Sequence, residues 1–184
     1  MDTLENKYYR EIREYLIGKK VQEVYYEELD YQSENEFWEY SDEIHSIDMN
    51  VIFKLDNNDL IQIFWDNTFH CYGIGLKKLS QINSHKELIK TINLSNHQNW
   101  RKLIGKKIEE IVVFWEFVYE NESTKLPQTW EIKFKDEVIW ISAMEFVKND
   151  IEMYWKDHLT LFFTNNSQKE YKLTKRSDIQ SKIS

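Results

Sequence analysis

From Val21 to Phe53 the chain carries ten carboxylates and no lysine or arginine: Glu23, Glu27, Glu28, Asp30, Glu34, Glu36, Glu39, Asp42, Glu43 and Asp48. Tyr25, Tyr26, Tyr31, Phe37, Trp38 and Tyr40 are interleaved with them. A carboxylate is costly to bury without a partner, so side chains in this pattern are expected to face solvent, a metal or a cationic partner. Acids steer a basic protein and Tyr or Trp side chains anchor it, which makes protein recognition the expected chemistry. The candidate partner-binding residues are Glu23, Tyr25, Glu27, Glu28, Asp30, Tyr31, Glu34, Glu36, Trp38, Glu39, Asp42 and Glu43. The alternative is a solvated acidic loop set among core aromatics.

Other chemistry finds less support. Asp56-Asn57-Asn58-Asp59 suggests calcium, but an EF-hand loop needs glycine at its sixth position and glutamate at its twelfth, where Ile61 and Asn67 stand. A hairpin loop is expected there instead. His70 and Cys71 are neighbours on an expected strand, so their side chains point to opposite faces and Cys71 reads as a strand-buried thiol. His45, His85, His97 and His158 lack ligand spacing, and no metal site is expected. Gly73-Ile74-Gly75 has no third glycine for a phosphate cradle, and no carboxylate pair stands out for glycoside chemistry. The expectation is a non-enzymatic protein without catalytic residues or cofactor.

Composition sets the broad class. Apolar residues make up 41% and charged residues 30%, a globular balance, and aromatics reach 15%. A single cysteine excludes an intrachain disulfide framework. The first residues lack a basic stretch followed by an apolar one, and no run approaches the ~20 apolar residues of a membrane-spanning helix. A cytoplasmic address is therefore expected, with no membrane partner. The formal charge of −8 disfavours nucleic acid, which rewards lysine and arginine.

The elements that must carry the acids come from a repeat. Leu16-Ile17-Gly18-Lys19-Lys20-Val21-Gln22-Glu23-Val24 recurs 87 residues later as Leu103-Ile104-Gly105-Lys106-Lys107-Ile108-Glu109-Glu110-Ile111, with six of nine positions identical. Val51, Phe53 and Leu55 alternate before a polar break and Leu60 to Ile63, while Trp130, Ile132 and Phe134 alternate before Val138 to Ile141. Alternation on both sides of a short polar loop predicts a β-hairpin in each half. Leu4, Tyr8, Ile12 and Tyr15 predict a helix over Thr3 to Ile17, capped by Gly18. A shorter helix is expected over Gln98 to Ile104, ahead of Gly105. Ser84-His85-Lys86-Glu87 resembles a capping box that opens a helix through about Ile92. Closing strands are expected over Thr68 to Leu76 and His158 to Thr164, followed by a loosely ordered basic tail.

The predicted fold class is α+β, an internal duplication of two β-rich units related by a pseudo-twofold axis. Each unit is a helix followed by mainly antiparallel strands. Residues 1–98 form the first unit, with 10 basic and 18 acidic residues, and 99–184 the second, with 14 of each and the polar tail 165–184. The whole net charge lies on the first unit. Val112 to Phe117 fall opposite Tyr25 to Asp30, so one copy is expected to bury this strand where the other displays carboxylates.

Gly18-Lys19-Lys20-Val21, Gly105-Lys106-Lys107-Ile108 and the acidic stretch together resemble the immunity proteins of bacterial polymorphic and contact-dependent toxin systems. The resemblance implies non-enzymatic binding to a cognate toxin domain, often a basic nuclease, whose active site is blocked. Apart from it, the aromatic content leaves open a carbohydrate or small-ligand module built on Trp and Tyr platforms.

Overall fold

Thr3 opens the first helix, its side chain accepting from the Asn6 amide, and the helix α1 (Leu4–Tyr15) buries Tyr8 and Ile12 on one face. In this computed structural model residues 3–31, 37–82, 88–118, 124–145, 154–171 and 179–184 are described. After α1 come β1 (Val21–Leu29), β2 (Trp38–Ser41), β3 (Ile44–Ile47), β4 (Asn50–Leu55), β5 (Leu60–Asp66), β6 (Gly73–Leu79) and β7 (Ile89–Asn93). The one-turn helix α2 (Gln98–Arg101) leads to β8 (Ile108–Phe117), β9 (Lys125–Phe134), β10 (Val138–Met144), β11 (Tyr154–Phe162), α3 (Asn165–Glu170) and β12 (Ile179–Ile183). The architecture is α+β, with short helices and antiparallel strands in two sheets.

The two sheets run in the orders β6-β5-β4-β1-β7 and β12-β8-β9-β10-β11-β3-β2. The succession β1-β4-β5-β6, with β7 on the far side of β1, thus has the same order as β8-β9-β10-β11 with β12 on the far side of β8. Registers agree too. Val24 faces Phe53 as Ile111 faces Ile132, and each first strand breaks register at the same place, between Val21 and Glu23 and between Ile108 and Glu110. Where the repeats meet, four hydrogen bonds interchange under the 87-residue offset. Gly18 N donates to Ile108 O (2.8 Å) and Gly105 N to Val21 O (2.7 Å), while Val21 N donates to Lys106 O and Ile108 N to Lys19 O.

Both repeat glycines adopt φ of +80°, with open space where a side chain would stand. The left-handed backbone, rather than crowding, selects glycine. Gly18→Ala and Gly105→Ala are each expected to cost about 1 kcal/mol, read as a lower midpoint in urea unfolding.

Alternating apolar side chains of both sheets meet in one core, which includes Val24, Tyr26, Phe53, Ile61 and Ile74 from one side and Ile111, Trp115, Trp130, Ile141 and Leu161 from the other. Inside it Tyr8 Oη donates to Ile74 O at 2.6 Å and accepts from Trp130 Nε1 at 2.8 Å.

Several expectations need correction. Residues 89–92 form strand β7 rather than a helix, because Ile89, Thr91 and Ile92 complete the backbone pairing of β1, and that tertiary pairing outweighs a local helix signal. The suggested capping box at 84–87 lies outside the described residues. Residues 68–72 are turn, with Asp66 Oδ1 accepting from Thr68 N and Tyr72 at φ +65°, so β6 starts at Gly73 and Cys71 is exposed rather than strand-buried. The tail is not loose throughout: Thr164 caps α3, and β12 pairs with β8.

Between β1 and β4 the chain makes one excursion. The β2–β3 hairpin leaves the sheet of β1 and β4 and joins the other sheet through β3 against β11, which makes β2 the terminal strand.

Candidate functional site

The acid-rich strand β1 is not a surface. It lies between β4 and β7, and Glu27 and Glu28 are both only 1% exposed. Glu27 accepts from Asn50 Nδ2 (2.6 Å) and Gln62 Nε2 (2.7 Å), donors that replace its lost hydration. Glu23 pairs with Lys54 at 2.5 Å and accepts from the Tyr25 hydroxyl, and these contacts hold its carboxyl below the usual range. Strands β1 and β8 are therefore both largely buried, β8 with Phe114 and Trp115 and β1 with Glu27 and Glu28. Among the sequence candidates, Glu34 and Glu36 lie outside the described residues. Asp42 is exposed, and Glu43 accepts from Thr164 Oγ1 at 2.7 Å.

The exposed candidates gather around β2, whose four residues are all exposed. Asp30 is exposed as well, and Tyr31, Trp38 and Tyr40 are 56%, 43% and 41% exposed, unusual values for large aromatics. With Ser46, Asp48, Glu145 and His158, these three aromatics line a cleft of about 420 Å³. Aromatic rings form its rim and carboxylates its polar wall.

Behind that wall is a buried acid network. Asp48 Oδ1 lies 3.0 Å from His158 Nε2, and Asp48 N donates to Glu28 Oε2 at 3.0 Å. Burial pushes the Glu28 carboxyl up to about 8, helped by the Asp48 charge. Burial also opposes charge on Asp48, but the His158 imidazole and the Leu29 backbone outweigh it and hold Asp48 below its usual value. For His158 burial favours the neutral ring, yet Asp48, Glu145 and Asp157 lift its pKa above 6.5. Glu28 Oε1 and Asp48 Oδ2 are buried with no donor among the described residues, while the two carboxyls lie within hydrogen-bonding reach of each other. A proton kept on Glu28 and shared with Asp48 satisfies both. The cleft thus sets the carboxyl groups of Asp48 and Glu145 beside the single imidazole of His158.

No protein-family model matches the chain, and neither a curated protein nor a solved structure matches it. The site has to be read from its own chemistry. An aromatic rim over carboxylates suits a lysine or arginine side chain, which gains cation–π contact and a charge-assisted hydrogen bond together. A larger groove of about 630 Å³ beside the β9–β10 turn is lined by residues that include Lys102, Lys133, Lys135, Asp136 and Glu137, so it mixes both signs of charge, and Lys102 pairs with Glu137 at 3.4 Å.

On the other side of β2, Glu39 meets two histidines that sequence spacing kept apart. Glu39 Oε1 is 3.2 Å from His97 Nε2 and 3.6 Å from His45 Nε2. Burial, with His97 nearby, pushes the His45 pKa down to about 3, so this ring is neutral at ordinary pH. Trp100 Nε1 donates to Tyr26 Oη at 2.7 Å, and that oxygen is 2.8 Å from His45 Nδ1. His45 sits on β3 and His97 at the N-cap of α2, so no local spacing could have joined them.

Proposed function

We propose that this chain is a non-enzymatic binding protein of the cytoplasm that neutralises a basic protein, in the manner of an immunity protein against a toxin domain. Its contact surface is β2 with the adjoining cleft, which takes a lysine or arginine of the partner. The observation that carries this reading is the exposed terminal strand whose Trp38 and Tyr40 open onto a carboxylate-walled cleft. Exposed aromatics anchor an interface, and the net charge of −8 speeds the approach of a basic partner. Among the described residues no helix is long and apolar enough to cross a membrane.

The same strand orders, register breaks and interchanging hydrogen bonds support a duplicated origin for units 1–98 and 99–184, related by a pseudo-twofold axis near the bridge between Lys20 and Lys107. On this reading the β2–β3 hairpin is the feature that the first unit adopted for binding.

The test is co-expression with a basic toxin domain, sought among the proteins that the neighbouring genes encode. Wild-type chain is expected to restore growth and to form a complex whose association rate falls steeply as salt rises. Growth that stays arrested although both proteins are present contradicts the reading. The three aromatics around a polar wall also favour a second reading, a carbohydrate module. That reading predicts thermal stabilisation by an oligosaccharide with little salt sensitivity.

A further inference from the structure

We infer that Glu39, His45 and His97 form a site for a divalent transition metal, zinc foremost, that ties the edge strand β2 to β3 and to the start of α2. Their donor atoms all lie within 4.8 Å of one another. Two of the separations, 3.2 and 3.6 Å, bracket the roughly 3.3 Å edge of a tetrahedron with zinc–ligand bonds of about 2.0–2.1 Å. Two imidazole nitrogens and one carboxylate oxygen are a complete protein set for zinc with a fourth position left to water, and Glu39 is exposed to solvent.

The surroundings favour a cation at this point. Asn99 Nδ2 donates to Asp42 O at 2.7 Å and lies 3.3 Å from His45 Nε2. With a donor facing it, that nitrogen presents a lone pair rather than a proton, an assignment made from the hydrogen-bond network. The lone pair then also faces a carboxylate oxygen, and two electron-rich atoms in that relation are best reconciled by a cation between them. Tyr26 Oη, fixed by Trp100, is placed to accept from His45 Nδ1 and so to hold the ring in the ligating tautomer. Two contacts have to give way: the metal takes the His45 Nε2 lone pair that Asn99 Nδ2 faces at 3.3 Å, and binding at His97 Nε2 moves the ring proton to Nδ1, which ends the long capping bond accepted there from Asn99 N at 3.4 Å.

The inference stands apart from the binding function proposed above, since it uses the opposite side of β2. It adds a consequence for that function. Glu39 sits between Trp38 and Tyr40, so a metal on Glu39 would fix the aromatic rim of the cleft.

The test uses the full chain, freed of metal with chelator and titrated with Co²⁺ and then Zn²⁺. The expected result is one equivalent of Co²⁺ with the visible absorption of a tetrahedral centre, bleached by Zn²⁺. Glu39→Gln and His97→Asn should each weaken Zn²⁺ binding, measured by calorimetry, by about 100-fold or more. Asparagine keeps a capping acceptor at position 97, and thermal unfolding in chelator checks that both variants fold. Cys71→Ser should leave binding unchanged. The inference is overturned if the wild-type chain takes up no Zn²⁺ at about 100 μM, or if both variants bind it as tightly as the wild type.

Discussion

Between about pH 6.5 and pH 8 the unfolding free energy is expected to fall by about 2 kcal/mol, and Glu28→Gln is expected to abolish most of that fall. Glu28 is the cause, because its carboxyl is raised to about 8 in the folded protein from an ordinary value of 4.5. Across this window the folded state holds a proton that the unfolded chain has already released. Stability from a raised group is complete below the unfolded value and is lost as pH rises through the folded one, so the slope is negative and close to 1.4 kcal/mol per pH unit. His158, also raised, adds a loss of the same sign as pH climbs through its folded value. Below about 6.5 the sign is contested. His45, depressed to about 3, costs stability as pH falls below 6.5, and Asp48 does the same once pH falls through its own lowered value. Glutamine keeps a donor toward Asp48 without the titration. Urea unfolding followed by tryptophan fluorescence at several pH values reads the effect. Parallel profiles for wild type and Glu28→Gln would show that Glu28 does not hold the proton.

The second large effect concerns the partner. Replacing Tyr31, Trp38 and Tyr40 together by alanine is expected to weaken binding of the basic partner more than about 100-fold, since exposed aromatic anchors carry about 2 kcal/mol or more apiece when an interface closes over them. Unfolding should be little changed, because all three side chains are exposed. Reversal of Glu27 gives the contrary pattern. A lysine there would set a cation against the Asn50 and Gln62 donors at a 1% exposed position and is expected to cost at least about 3 kcal/mol of stability. Titration calorimetry with the partner, beside urea unfolding of each variant, separates the two. A triple-alanine variant that binds undiminished would remove β2 from the interface.

Much of the frame was legible because it is written in local periodicity. Alternation from Val51 to Leu55 and from Leu60 to Ile63 gave the β4–β5 hairpin, and the equivalent pattern gave β9–β10. Gly18 and Gly105 announced their positive φ through the repeat. The site was legible only in part. Trp38 and Glu39 lay in the acidic stretch and were found by composition, but composition could not show that the next most acidic segment, Glu27-Glu28, is a buried central strand with its own donors. Asp48 and His158 are joined through the pairing of β3 with β11, and His45 reaches His97 through the same hairpin. Those meetings depend on a strand crossing to the other sheet, and nothing within a window of neighbouring residues encodes that.

The cleft beside β2 can be tested without knowing the partner, by selecting random peptides on the immobilised chain. Enriched peptides are expected to carry lysine or arginine and to lose binding to the Tyr31, Trp38, Tyr40 triple-alanine variant. Enriched peptides without a basic residue, or equal binding to the variant, would contradict the proposed interface.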